Sequence, residues 1–446
     1  MPKGKLRFIV NKMSMIKVAG VLQDKLPQLK SARKVFLAFS GGLDSTVLFQ
    51  LLVQARISFT AIHINHQLSA NADAWQQFCE QLAKEHSVPL LVYKVKVENQ
   101  GRGLEDAARA ARFSIFDRSL EKGDVLLTAH HADDQAETFL FRLMRGAGLK
   151  GLAAIQSERE LGKGTILRPL LHVPRGRIQA YAEQYNLHWV EDESNQHEEF
   201  DRNYIRKQLL PVLRHRWPSA VSQITSTAEL ISKDSDLLRE FAAMDYQRCS
   251  PQIERQGESL RIDILEGFSQ ARVHNVLRYW LYRQGYTAAS TNQLPQIEGL
   301  LHARLDAAPE VLTKNWCFRR FGRRVYLLPP PTARRIQSRV WDTRETITFE
   351  NGASLSLIHG AQTRFSVKVR EGGERCRPFG RDHSQALKKL LQEYHLEPWW
   401  RDVVPLVFLG DKLVAVGDLF VCEPDVGYRF KWTFPDESVP RNEHQI

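Results

Sequence analysis

The sequence predicts an α/β protein: a doubly wound parallel sheet in an N-terminal domain, then a mostly helical middle domain and a small α+β C-terminal domain. Three observations carry that reading. Short apolar strands alternate with helix-length segments through the N-terminal part, the pattern of parallel βαβ units. A small-residue turn, Ser40-Gly41-Gly42-Leu43-Asp44-Ser45-Thr46, joins the first strand to the first helix. From about residue 335 the texture changes to short β-like runs broken by one helix.

Residues 35–39 (VFLAF) read as the first strand, and 47–52 carry the first helix. Strands are expected at 59–64, 89–95 and 124–129, with helices at 71–86, 104–120 and about 133–144. Residues 166–171, a helix over 175–186 and His188-Trp189-Val190 extend a domain spanning 1–222. A long helix over 223–245 opens a second domain, 223–334, with further helices at 269–284 and 293–305. The third domain, 335–446, holds β-like runs at 345–349, 354–358 and 364–369 and a helix at 384–394. Its last runs, 405–408 and 413–416, flank Gly410-Asp411, a hairpin-type turn.

Composition narrows the function classes. No apolar run reaches the roughly 18 residues that a membrane span needs. The first twenty or so residues scatter basic side chains without a continuous apolar core, so no signal peptide is expected. Five widely spaced cysteines without a C-x-x-C fit a reducing, cytoplasmic setting better than a disulfide framework or a zinc ribbon. The net charge of +11 points to an acidic partner. Residues 312–340 contain no acid, and Lys314, Arg319, Arg320, Arg323, Arg324, Arg334, Arg335 and Arg339 alternate there with Trp316, Phe318, Phe321 and Tyr326. Arginine beside aromatics is a composition that holds phosphates and stacks on unpaired bases, although a solvated basic face would look similar.

The turn at 40–46 has the chemistry of an anion cradle. Its glycines open backbone angles closed to other residues, and the loop and first helical turn aim N–H groups at one point. It is not a Walker A loop, since no lysine follows. Asp44 suits such a site when a divalent cation bridges it to phosphate oxygens. Three polar clusters fall at predicted strand ends: residues 40–46, His63-Ile64-Asn65-His66 and His130-His131-Ala132-Asp133-Asp134. In an open parallel sheet ligands bind outside the carboxyl ends of the strands, so the topology gathers these clusters into one site. Asp134 and Glu137 share a helix face and form a pocket for a cation, either Mg²⁺ or a substrate amino group; capping of the helix N-terminus would account for them as well. The histidine pairs lack a full zinc set. Gly146 to Gly151 spells G-x-G-x-x-G after a helix rather than a strand, which is the wrong context for a dinucleotide site. Cys79 lies in a helix, away from any strand end.

The motif Ser-Gly-Gly-x-Asp-Ser resembles the signature of the PP-loop ATP pyrophosphatases. Further segments narrow the likeness. SGGLDS, HINHQL, GLEDAARAARF, HHADDQAETFLFRLMRGAGLKGLAAI, RPLL and EDESNQHEEFDRNYIRKQLLP resemble the tRNA(Ile)-lysidine synthase family, and REGGERCRPFGRDHSQALKKLLQEYHLEPWWRDVVPLVF resembles its C-terminal domain. Residues 246–340 match no motif of the family with confidence. The resemblance implies ATP-dependent ligation of L-lysine to C2 of the wobble cytidine of an isoleucine tRNA with a CAU anticodon, through an adenylated C2 oxygen. It implies ATP held by Ala38, Ser40, Gly41, Gly42, Leu43, Asp44, Ser45 and His63, with Mg²⁺ at Asp44. It also implies catalytic roles for Asp44, Arg109, Arg112, His130 and Asp133, and lysine at Asp134 and Glu137. The tRNA would meet Arg319, Arg320, Arg323, Arg324, Arg375, Arg377, Arg381, Lys388 and Lys389. Either Arg109 or Arg112 would neutralise the AMP phosphate. A PP-loop thiolation enzyme is the runner-up, weakened by the absence of a C-x-x-C; the oligomeric state stays open, a homodimer included.

Overall fold

The computed structural model describes residues 20–95, 104–191, 201–290, 292–304, 307–331, 338–423 and 427–434, without the side chains of 104–106. The N-terminal segment, Arg334, Arg335 and the expected boundary after residue 334 lie outside the described residues. The chain divides into two compact units, Met1–Leu237 with Glu443–Ile446, and Leu238–Asn442.

In the first unit six strands form one sheet: β1 (Val35–Ala38), β2 (Thr60–Asn65), β3 (Leu90–Lys94), β4 (Val125–Leu127), β5 (Glu158–Leu161) and β6 (Gly164–Leu167), in the order β3-β2-β1-β4-β6-β5. All pairs are parallel except the β5–β6 hairpin at one edge. Successive side chains of a strand point to opposite faces, and both faces of this sheet are covered. Val35 and Leu37 join the Leu43–Gln54 and Arg175–Gln184 helices in one core, while Phe36, Ile62, Leu126 and Ile166 meet Phe116 of the Leu104–Ser119 helix in another. The doubly wound expectation is met. The chain runs from β1 out to β3 and returns across β1 to β4, so the crevice between β1 and β4 is a topological switch point.

One expected strand is absent. His188-Trp189-Val190 pairs in no sheet; instead the Val190 amide donates to the Gly41 carbonyl at 3.0 Å, bracing the loop from outside.

In the second unit, β7 (Gln252–Ile253), β8 (Glu258–Arg261), β9 (Glu310–Leu312), β10 (Cys317–Phe321) and β11 (Arg324–Leu328) form an antiparallel sheet in the order β7-β8-β11-β10-β9. The expected helices are present at Gln270–Arg283 and Gln293–Leu301, and this sheet beneath them is an addition to the sequence reading. The aromatic-arginine stretch is the β10–β11 hairpin, turning at Gly322, whose φ is +57°. Its aromatics do not form a stacking platform. Trp316 and Phe318 are buried against Trp280, and Tyr326 packs edge-on to Trp399.

The remaining strands build the α+β part of this unit: β12 (Arg339–Asp342), β13 (Ile347–Thr348), β14 (Ser354–His359), β15 (Arg364–Lys368), β16 (Arg375–Cys376), β17 (Gln385–Ala386), β18 (Leu406–Leu409), β19 (Lys412–Val416), β20 (Phe420–Val421) and β21 (Arg429–Thr433). They form sheets β12-β15-β18-β19-β20, β13-β14-β21 and β16-β17 around one core, with the Leu387–Glu393 helix packed on it. The β18–β19 hairpin turns at Gly410, as expected.

Arg320 needs a correction as a tRNA contact. Its side chain is buried, and Nη1 donates to the carbonyls of Leu300 at 3.2 Å and Leu301 at 2.6 Å, and to Ala303. These carbonyls lie at and just past the end of the Gln293–Leu301 helix, where a cation also complements the helix dipole. Arg324 is likewise drawn inward, to Ser259 Oγ at 2.6 Å and the Ser250 carbonyl at 2.7 Å. Arg323 is exposed at the hairpin turn. Arg320→Ala should therefore lower stability by about 2–4 kcal/mol in urea titration, since buried carbonyls lose their donor, while the salt dependence of RNA binding keeps its slope. A slope reduced by about one unit would return Arg320 to the RNA surface.

Candidate active site

The Ser40–Thr46 turn leaves β1 at the switch point. Gly41 has φ +82°, and a Cβ there would stand 2.9 Å from Cys79 Sγ, 3.1 Å from Val190 Cγ2 and 3.2 Å from Phe78 Cδ1. Only glycine fits. Gly42 is the N-cap of the Leu43–Gln54 helix and supplies no side-chain acceptor, so the first-turn N–H groups face outward as an anion site. Hydrogen bonds set the loop's shape: Ser45 Oγ to the Gly42 carbonyl at 3.0 Å, Thr46 Oγ1 to the Gly41 carbonyl at 3.1 Å, and Ser40 Oγ beside Ser45 Oγ at 3.0 Å.

Asp44 stands in the first turn of that helix. Its Oδ2 lies 3.6 Å from His131 Nε2, whereas its Oδ1 is buried with no partner. An orphaned carboxylate oxygen beside a phosphate cradle fits Mg²⁺, which binds through one or two carboxylates and phosphate oxygens. His131 begins the Ala132–Met144 helix with a capping box: Nδ1 accepts from the Asp134 amide and Asp134 Oδ2 accepts from the His131 amide. With Nδ1 an acceptor, the proton sits on Nε2 and faces Asp44. Burial works against protonation of His131, but the bond to Asp44 and the charge of Asp134 raise its pKa.

Asp134 and Glu137 do share a helix face, and that face meets a cation from the chain itself. Arg206 Nε and Nη2 hold Glu137 Oε1 at 2.6 Å and Oε2 at 2.9 Å, and Nη2 lies 3.6 Å from Asp134 Oδ1. Arg206 sits on a π-helical turn, Ile205–Leu209, a distortion that recurs at functional sites. Sequence reasoning missed this arginine. The signal was present in the RNYIRKQLLP segment, although nothing in its spacing connects it to Glu137, 69 residues earlier.

Asp133 requires a correction as a catalytic group. Its Oδ2 accepts from the Arg175 amide at 2.9 Å and its Oδ1 from Arg214. Both oxygens are thus engaged in tying two helices together. Burial would raise its pKa, but these donors hold it below the usual carboxylate range.

The other predicted residues gather at the same strand ends. His63 is buried on β2, with Nδ1 3.0 Å from the Phe39 carbonyl, and burial lowers its pKa. His66, just past β2, has an unpartnered buried Nδ1 and a pKa lowered to about 4, by burial first and then by Arg112. His130 pairs with Thr128 Oγ1 at 2.9 Å, and its pKa falls well below the ordinary value through burial and the charges of Arg168, Arg109 and Arg112. Arg109 and Arg112 therefore border the site from the Leu104–Ser119 helix, and Arg109 also lies 5.1 Å from the Phe113 ring centroid. Cys79, beneath the loop, has its thiol pushed up to about 12 by burial, which leaves no thiolate there.

Comparison with known proteins identifies the lineage. A tRNA(Ile)-lysidine synthase of Serratia proteamaculans is 39% identical over 412 residues, 89% of this chain and 93% of its own length. One of Coxiella burnetii is 37% identical, covering 92% and 94%, and one of Escherichia coli O157:H7 is 37% identical, covering 91% and 97%. The chain belongs to the tRNA(Ile)-lysidine synthase family. Profiles for a PP-loop domain, a TilS substrate binding domain and a TilS substrate C-terminal domain match residues 12–213, 260–326 and 365–431. The second falls within 246–340, the stretch without a recognisable motif of the family. A U34-tRNA thiolase from Methanococcus maripaludis has a TM-score of 0.42 and 18% identity over 50% of this chain and 80% of its own, too distant to bear on the activity.

In this lysidine synthase chain the remaining proposed RNA residues are mostly exposed. Arg319 pairs with Glu310 at 2.8 Å, Arg377 with Glu423 and Arg381 with Glu393 at 2.8 Å, while Arg375 donates to the Ser384 carbonyl at 2.9 Å. Lys388 and Lys389 are exposed on the Leu387–Glu393 helix, Lys389 3.9 Å from Glu393.

Gly41→Ala should cost about 1–3 kcal/mol in strain and remove ATP binding in calorimetry. Adding Cys79→Ala relieves the closest contact but not the backbone angle, so stability returns only in part. ATP affinity equal to the parent's would show that the loop is not the cradle. A second expectation concerns pH. His63, His66 and His130 have folded-state pKa values below their unfolded ones, so the unfolded chain binds their protons first as pH falls. His131 is shifted the other way. Its contribution is fully present below the ordinary histidine pKa and is lost only as pH rises above it, so it does not offset the other three in acid. Stability falls from about pH 6.5 towards pH 4, with a steepest slope of up to roughly 4 kcal/mol per pH unit for three net protons. Urea midpoints measured across that range test it, and a flat profile would mean that these rings protonate freely when folded.

Proposed function

We propose that the protein uses ATP to join L-lysine to C2 of the wobble cytidine, position 34, of the CAU-anticodon isoleucine tRNA. The product, lysidine, lets that tRNA read AUA and accept isoleucine. The observation that carries the reading is the meeting, at one sheet edge, of a phosphate nest, an orphaned Asp44 oxygen and an acidic face. An ATP-dependent ligation of an amine needs these three things together.

The cytidine O2 attacks the α-phosphorus of ATP, and the bond to pyrophosphate breaks. Ser40, Ser45 and the N–H groups at the start of the Leu43–Gln54 helix hold the leaving pyrophosphate, where preorganised donors lower the cost of developing charge. Asp44, through Oδ1, would hold Mg²⁺ there, and that ion supplies charge neutralisation on the phosphates. The lysine Nζ, having lost a proton, then attacks C2, the C2–O bond breaks and AMP departs. Asp134 and Glu137 keep the amine close to C2, which turns a bimolecular encounter into a local one. Arg109 or Arg112 faces the AMP phosphate from the neighbouring helix.

Arg323, Arg375, Arg377, Lys388 and Lys389 offer exposed positive charge for the tRNA backbone, with Arg319 and Arg381 beside them. Phosphate contacts of this kind position the RNA and carry no sequence information. Among the described residues no helix is long and apolar enough to cross a membrane. The reading places the enzyme in the cytoplasm, as a monomer or a homodimer, with the domains expected at 1–222, 223–334 and 335–446 serving catalysis and tRNA binding.

The test is incorporation of labelled lysine into this tRNA with ATP and Mg²⁺. Asp44→Ala should reduce AMP release by at least a hundredfold while tRNA retention on a filter stays within twofold. No incorporation by the parent protein would reject the ligation, and equal loss of tRNA binding in the variant would make Asp44 a structural residue.

A further inference from the structure

Among the described residues, a buried guanidinium with no acid paired to it lies at the same end of the sheet, outside the machinery described above. Arg168 directly follows β6, and β6 runs parallel to β4 with Leu167 opposite Leu127. Arg168 therefore leaves the sheet on the edge where Ser40 and His130 leave β1 and β4. Its main chain is anchored, the amide donating to the Ser157 carbonyl at 2.9 Å. Its side chain is only 6% exposed. Nη1 donates to the Gln156 carbonyl at 2.6 Å, and Nε is buried with no partner.

The charges that act on this group are cationic. Burial pushes Arg168 down to about 9, and Arg159 and Arg109 push in the same direction; at neutral pH it stays charged. Arg159 and Arg109 lie about the Phe113 ring, 5.0 and 5.1 Å from its centroid. His130, which faces the same charges, is held neutral. A buried charge is ordinarily paired, because leaving water without a counterion is costly. Here the neighbouring charges are of the same sign, and among the described residues a neutral carbonyl stands where a carboxylate would be expected. A planar fork with a spare donor is suited to two oxygens of a phosphate.

We propose that Arg168 binds a phosphate of the reacting nucleotides at the β4–β6 end of the site, with Arg109 and Arg159 reinforcing its field. This rests on the ligation reading. The phosphate has two sources, the α-phosphate of ATP, which becomes that of AMP, and the phosphodiester next to the wobble cytidine. Its chemistry is the same in both.

The experiment uses the full chain with Arg168→Gln and Arg168→Lys. Calorimetry with a non-hydrolysable ATP analogue forms one arm, and filter binding of the tRNA without ATP over a series of salt concentrations forms the other. Arg168→Gln should weaken one ligand tenfold or more, and Arg168→Lys should recover most of that loss. A loss confined to the ATP arm assigns the α-phosphate. A loss confined to the tRNA arm, with a salt slope lower by about one, assigns the phosphodiester. Affinities within twofold of the parent in both arms overturn the proposal. So does a Lys variant as weak as the Gln variant with the same loss of melting temperature, which would mark a purely structural arginine. If the Gln variant does not fold, the Lys variant is read by itself: a loss of about threefold or more confined to one arm at unchanged melting temperature supports the proposal, and any other result overturns it. Lysine incorporation by the parent protein is independent of every arm, so failure here leaves the ligation reading standing.

Discussion

Parallel pairing of β1 with both β2 and β4 is the constraint on which the site depends, because it sends three chain segments out of the sheet at one edge. Ser40, His66 and His130 stand far apart in the sequence and follow three adjacent parallel strands at the same end of the sheet. The two cores on either face of the sheet hold that alignment. Glycine at position 41 then lets the loop turn over Cys79 without distorting the strand that delivers it. A shift of one residue in the β1 register would turn Leu37 and Phe36 to the wrong cores and would aim the loop away from the crevice.

The strand ends were legible in the sequence because apolar runs followed by glycine, serine, histidine and aspartate are local signals. The partners of those residues were not. Arg206 and Arg214 reach Glu137 and Asp133 from 69 and 81 residues further along the chain, and no periodicity links positions so separated. Asp133 and Asp134 look equivalent as letters. The helix they open turns one towards Arg175 and Arg214 and the other towards His131 and Arg206, and so divides their tasks.

The β10–β11 hairpin shows how a basic segment can mislead. Trp316, Phe318 and Arg320 occupy alternate positions and are all buried, and Cys317 between them is buried in a second cluster with Tyr326 and Leu328, so the strand is covered on more than one face. An arginine in the third inward place breaks the apolar pattern and makes the stretch look like a surface. What draws it inward is the set of carbonyls converging at the end of the Gln293–Leu301 helix, an arrangement created by tertiary packing and invisible in composition.

Arg206 also sets the net charge of the acidic face. Asp134 and Glu137 contribute two negative charges and Arg206 removes one, so the three side chains together carry a net charge of about −1. Such a pocket matches a single ammonium group. A divalent ion would be left overcharged there, beside a fixed guanidinium that repels it, and would gain more at the orphaned oxygen of Asp44. On the proposed reading, one arginine sorts two kinds of cation into two places by charge.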